Sequence, residues 1–138
     1  MNSDAESLYL LVLHLGRHLR EVDREVGLSG VRFSILASLQ FHGTANLAAL
    51  AEDEKVSRPA ITRLVKDMVK DGQVAIGPDP SDGRGVRVTI TAAGKSQLLK
   101  SRRKKVSVIE NYLSTLSVKE RESLAPLVQK LAATVWPD

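Results

Sequence analysis

The chain has no cysteine, which excludes disulfides, thiolate metal centres and thiol redox sensing. Aromatics are scarce too: two Phe, two Tyr and one Trp in 138 residues. The core must therefore be aliphatic, built from Leu, Val, Ile and Ala, a balance that favours helices over a large sheet. Long apolar runs are also missing. The most apolar N-terminal stretch, residues 7–15 (SLYLLVLHL), is too short to span a bilayer, and no basic leader or small-residue cleavage site flanks it. A soluble cytoplasmic protein is expected, with no membrane partner. No Ser/His/Asp or paired-carboxylate constellation stands out, and no Walker-type phosphate loop occurs, so no enzyme and no cofactor are expected.

What is present is ordinary globular composition, 43% hydrophobic and 26% charged, which fits one compact domain over residues 1–138. The formal charge is +4. Its location matters more than its size. Between Lys55 and Arg87 stand Lys55, Arg58, Arg63, Lys66, Lys70, Arg84 and Arg87 against Asp67, Asp71, Asp79 and Asp82. A second basic run, residues 100–105 (KSRRKK), contains no acid.

Periodicity supplies the elements. Leu8, Val12, Leu15, Leu19, Val22 and Val26 alternate spacings of four and three, a heptad seam on a helix that Gly27 stops. Leu10, Leu11 and Leu13 make that helix apolar on further faces, which predicts contact with more than one body. A second helix is predicted over residues 30–41 and a short one over 47–53. Ser57 reads as an N-cap with Pro59 in the first turn, opening a helix whose inner positions are Ile61, Leu64, Val65, Met68 and Val69. Its other face carries Arg58, Ala60, Thr62, Arg63 and Lys66. Two helices joined by a tight turn, the second basic outward, form a helix-turn-helix pattern.

After Gly72 the period changes to two. Val74 and Ile76, then Val86, Val88 and Ile90, flank a turn-rich segment over residues 77–85 (GPDPSDGRG), predicting a hairpin with a long polar tip, a wing. Thr91 is expected to cap a helix running to about residue 116. Ser117 and Glu120 have capping-box spacing for a last helix, within which Pro126 predicts a kink or a delayed start.

Two segments, LAALAEDEKVSRPAITRLVKDMVKDGQV and DPSDGRGVRVTITAAG, resemble the MarR-type family of transcriptional regulators. The first resembles that family's helix-turn-helix. The second is similar to its D-P-x-D-x-R wing followed by a T-x-x-G helix start. The element order across the chain also matches. Two features depart from the pattern: Gly83 stands where many members carry a second wing-tip arginine, and Pro126 interrupts the last helix.

The resemblance implies a mainly α fold with a small β-wing. A winged helix-turn-helix module would occupy about residues 30–91, between dimerisation helices at about 5–27 and 92–138. It implies a homodimer that binds double-stranded DNA at a pseudo-palindromic operator and represses transcription, with relief by a small aromatic or phenolic ligand. An accessory or architectural DNA binder without effector control is the alternative. Arg58, Ala60, Thr62 and Arg63 are the candidates for base edges or flanking phosphates, since Arg pairs bidentately with guanine and methyl groups touch thymine. Ser57 and Lys66 are assigned to phosphate. Arg84 would reach a minor groove, oriented by an ion pair with Asp82, and Arg87 is a further phosphate candidate. The competing readings are a solvated helix face and a turn in which Asp82 caps its own backbone.

The family's usual pocket suggests His14, Arg17, Phe33 and Leu36 as ligand-lining residues. His14 and His18 have metal-pair spacing on a helix, but no third ligand completes a set, so no metal is expected. Residues 100–105 point all round a helix and read as solvated. Trp136 is expected in the dimer interface.

Overall fold

A computed structural model describes residues 3–28 and 30–135. The chain forms two compact units, residues 1–104 and 105–138. The first contains α1 (Asp4–Val26), α2 (Val31–His42), β1 (Thr44–Asn46), α3 (Leu47–Asp53), α4 (Arg58–Lys70), β2 (Val74–Asp79), β3 (Asp82–Ile90) and the start of α5 (Ala92–Leu113). The second contains the rest of α5 and α6 (Val118–Val135). Among the described residues no helix is long and apolar enough to cross a membrane.

The helix ends follow local chemistry. Ser3 caps α1 by accepting the Glu6 N–H, and Gly27 closes it at a left-handed φ of 79° that suits a residue without a Cβ. The heptad seam of α1 divides in two. Its C-terminal half carries the buried Val22, while Leu8 and Val12 at the other end are exposed, as is Leu11 on a neighbouring face. Asn46 caps α3 through Ala49 N–H at 2.8 Å. The turn into α4 passes through Lys55 at a φ of 54°. This is uncommon for a side chain with a Cβ and costs of order 1 kcal/mol.

The core of the first unit is aliphatic, as expected. Leu28, Ile35, Leu36, Leu39, Leu50, Ile61, Val65, Met68, Val74 and Val88 are buried together, with Phe33, Leu64 and Ile90 packed against them. The three strands pair antiparallel in the order β1-β3-β2. Strand β1 is an addition to the sequence reading. Its three residues pair with Thr89, Val88 and Arg87, partners so distant in sequence that no local period reveals them.

The hairpin is also tighter than expected. The strands run to Asp79 and from Asp82, leaving only Pro80 and Ser81 at the turn, with an irregularity at Pro78/Asp79. Gly83 and Gly85 belong to β3 rather than to a loop.

Thr91 receives the Gly94 N–H on its hydroxyl at 3.0 Å, confirming the cap. At Gly94 a Cβ would run into the Gln73 carbonyl oxygen, so only glycine lets α5 approach this closely. Helix α5 ends at Leu113, three residues short of the expected end. Thr115 and Leu116 instead bond to the carbonyls three residues back, tightening the chain out of the α-helix. In the second unit, Ser117 and Glu120 cap reciprocally, with Ser117 N–H to Glu120 Oε1 at 2.9 Å and Glu120 N–H to Ser117 Oγ at 3.2 Å. Arg121 grips Glu110 with two contacts of 2.7 Å. Helix α6 begins at Val118 and continues through Pro126, so the delayed start does not occur: the capping box fixes the beginning upstream of the proline.

Candidate nucleic-acid interface

Helix α4 starts where Ser57, in an extended conformation, turns its hydroxyl oxygen onto the Ala60 N–H at 3.2 Å. Pro59 lies in the first turn, where its missing N–H is no loss. Because Ile61, Val65 and Met68 recur on one face and are buried, the opposite face is forced outward. Arg58, Pro59, Thr62, Arg63 and Lys66 border an open recess of about 530 Å³ there, and Ala60 is exposed beside them.

Arg58, Arg63 and Lys66 make no ion pair among the described residues. Three cations thus share one face without a carboxylate partner among the described residues, and Arg58 stands at the positive end of the helix dipole. That combination attracts a polyanion. Thr62 donates its hydroxyl to the Arg58 carbonyl at 2.8 Å, which leaves its oxygen as an acceptor. Ser57 accepts in the cap, so its own O–H stays available to donate.

The wing is organised by Asp79, which sequence reasoning passed over. The residue is only 7% exposed. It accepts the Ser81 hydroxyl at 2.7 Å and the Ser81 N–H at 3.0 Å, an Asx-type turn whose D-P-S sequence was a readable signal. Arg87 lies 3.6 Å away. The Ser81 hydroxyl, then its N–H, and then the Arg87 charge hold the Asp79 carboxyl below its ordinary range, against the opposing push of burial.

Arg87 therefore has an internal acid partner, and it lines a polar recess of about 470 Å³ with Asn46, Asp53 and Ser81. Asp82 does not orient Arg84 through an ion pair as expected. Its carboxylate accepts the Arg84 backbone N–H at 3.1 Å, because that donor lies only two residues on, at the start of β3. The Arg84 side chain is exposed and unpaired among the described residues.

The suggested ligand-lining residues are not gathered around any of the recesses described here. Leu36 is fully buried, Phe33 packs against the core, and His14 and Arg17 are exposed on α1. Among the described residues, no group of three or more histidine or acidic side chains could hold a metal. In the basic run of α5, Lys100, Arg102, Arg103 and Lys104 are exposed. Ser101 is buried and donates to Asp23 at 2.7 Å, so the run does not present a single face. Trp136 lies outside the described residues.

Comparison with known proteins agrees with this geometry. The MarR family model matches residues 28–86. The uncharacterized HTH-type transcriptional regulator Mb0904 of Mycobacterium bovis is 31% identical over 131 residues, covering 95% of this chain and 92% of that protein. The transcriptional regulator Tm0710 of Thermotoga maritima superposes with a TM-score of 0.81 at 25% identity, over 92% of this chain and 89% of that one. A MarR variant from E. coli complexed with operator DNA superposes with a TM-score of 0.64 at 23% identity, covering 92% of this chain and 91% of that one.

Proposed function

The chain belongs to the MarR family of helix-turn-helix transcriptional regulators, and from that premise we propose that it binds a pseudo-palindromic DNA operator as a homodimer and represses transcription there. The carrying observation is the outer face of α4, where Arg58, Arg63 and Lys66 stand around one open recess without carboxylate partners among the described residues. On this reading the N-terminal half of α4 enters the major groove, with Arg58, Ala60, Thr62 and Arg63 at base edges or adjacent phosphates. Ser57 and Lys66 hold phosphate, and exposed Arg84 reaches the minor groove. Arg87 contributes to phosphate contact only if it loosens from Asp79. Asp82 holds the backbone at the start of β3 that presents Arg84.

The homodimer follows from apolar surface that the single chain leaves open. Leu8, Leu11 and Val12 of α1 are exposed, and so are Leu127, Val128 and Leu131 of α6. A second copy covers each of these faces, and the two recognition helices then lie one DNA turn, roughly 34 Å, apart. The module of about residues 30–91 is the DNA reader and the flanking helices are the dimerisation elements. The working compartment is the cytoplasm. Relief by a small aromatic ligand rests on the family resemblance. A pocket involving His14, Arg17, Phe33 and Leu36 requires Leu36 to be uncovered first.

Footprinting on DNA upstream of its own gene, and on duplexes selected from random sequence, tests the reading across a salt series. A protected pseudo-palindrome with a steep salt slope is expected. General salt-sensitive binding without a preferred sequence would favour an architectural binder instead, and a folded protein that binds no DNA would end the proposal.

A further inference from the structure

A single chain of hydrogen bonds runs through four polar side chains of the first unit. Arg32 on α2 donates to Asp71, the C-cap of α4, at 2.7 Å and to Gln73 Oε1 at 3.0 Å. Gln73 donates through Nε2 to Gln97 Oε1 on α5 at 2.9 Å. Gln97 donates through Nε2 to the Val26 carbonyl at the end of α1, at 2.6 Å. Gln73, just before β2, is only 3% exposed.

The ends fix the direction of this chain. A guanidinium cannot accept and a backbone carbonyl cannot donate, so each amide has one orientation that satisfies both its neighbours. Flipping either one sets oxygen against oxygen. The Gln73 backbone is pinned as well: its N–H bonds to the Met68 carbonyl of α4 at 2.9 Å, and its carbonyl accepts both the Thr91 N–H at 3.1 Å and the Thr91 hydroxyl at 3.0 Å. Through one buried residue, the end of the recognition helix and the start of the wing are tied to α1, α2 and α5. An apolar side chain could fill the same space, but it would join nothing in a defined direction.

We propose that Gln73 and Gln97 are positioning residues for DNA recognition: the relay from Arg32 to Val26 holds α4 and the wing at a fixed attitude to α1, and so sets the half-site spacing that the protein accepts. This rests on the DNA-binding dimer proposed above. Losing Gln97 strands the buried Gln73 amide, losing Gln73 leaves the half-buried Gln97 side-chain carbonyl without its donor, and either break frees the attitude of α4. The loss falls on the one spacing that fits, whereas poorly spaced sites, which never engaged both helices well, lose little.

The test uses the full chain. Duplexes selected from random DNA by the wild-type protein are rebuilt with the half-site spacing changed by one or two base pairs. Binding is then measured for wild type, Gln73→Leu, Gln97→Met and the double variant, with thermal unfolding alongside. At the best spacing, Gln73→Leu is expected to bind about tenfold more weakly, with little change elsewhere, so that the spacing profile flattens. The double variant should fall no further than Gln73→Leu, since one broken link already opens the relay. Gln97→Met, at a half-buried position, provides the same reading should Gln73→Leu fail to fold. Variants that melt earlier yet keep a sharp wild-type profile would make the relay purely structural and overturn the proposal alone. A wild-type protein with no spacing preference, or with no DNA binding, would sink the dimeric-reader reading itself and the relay with it.

Discussion

Helices α4 and α6 are both amphipathic, yet they are stabilised differently. In α4, Ile61, Val65 and Met68 are all buried within the chain, and the exposed charges are Arg58, Arg63, Lys66 and Lys70 against the single acid Asp67. In α6 no described residue is buried; Leu127 is 59% exposed and Leu131 52%. An 18-residue helix with an internal proline gains little from its own hydrogen bonds. The difference separates two tasks: α4 is completed by its own core and offers charge to a partner, while α6 offers the apolar surface that would otherwise have made it part of a core.

Substitutions on the two helices should therefore fail in different ways. Ile61→Ala in α4 is expected to cost about 3 kcal/mol and to lower the unfolding temperature by roughly 10 °C. Calorimetry should find the same loss at every protein concentration. Leu131→Glu in α6 should instead weaken self-association on the order of a hundredfold, read by sedimentation, and should remove any rise of the wild-type melting temperature with concentration. Equal concentration dependence in both variants would erase the contrast.

Arg63→Ala and Arg84→Ala sharpen the same comparison from the charged side. Each should weaken operator binding by about 1–2 kcal/mol, and a lost phosphate contact reduces the salt slope by about one. The melting temperature should not move, because neither side chain has a partner among the described residues.

The smallest effect is an acid limb with one contributor in each unit. Ser81 holds the Asp79 carboxyl below its ordinary range, and Ser117, through its N–H and then its side chain, does the same for Glu120. A depressed folded pKa favours the folded state fully above the unfolded value of about 4, and that contribution is lost as pH falls through the folded pKa. Wild type should therefore lose stability below about pH 4 more steeply than Asp79→Asn or Glu120→Gln. Parallel acid limbs in all three proteins would show that these carboxylates contribute nothing.

Where an element is coded by neighbours in sequence, it was legible. Gly27, Ser57 with Pro59, Thr91 and the Ser117–Glu120 box all act where their local chemistry puts them. The outward cations of α4 followed from the inward period of Ile61, Val65 and Met68. What escaped depends on distant partners. Strand β1 exists because Thr89, Val88 and Arg87 return to meet it. The relay through Gln73 joins residues as far apart as Val26 and Gln97. The wing tip was overestimated because Gly83 and Gly85 read as turn formers, whereas the turn closes earlier, where Asp79 captures Ser81.

At Gly94 the joint between wing and α5 has no clearance, since any Cβ meets the Gln73 carbonyl. Ala92 and Ala93 beside it are exposed. A randomised library across this turn would accept many residues at those two positions and return glycine at 94. On the DNA-reading role proposed above, substitutions on the outward side of α4 and at the wing tip would change what is read, while Gly94 tolerates no side chain. New specificities in this scaffold are reached by repainting its surface around a joint that cannot itself be redesigned one residue at a time.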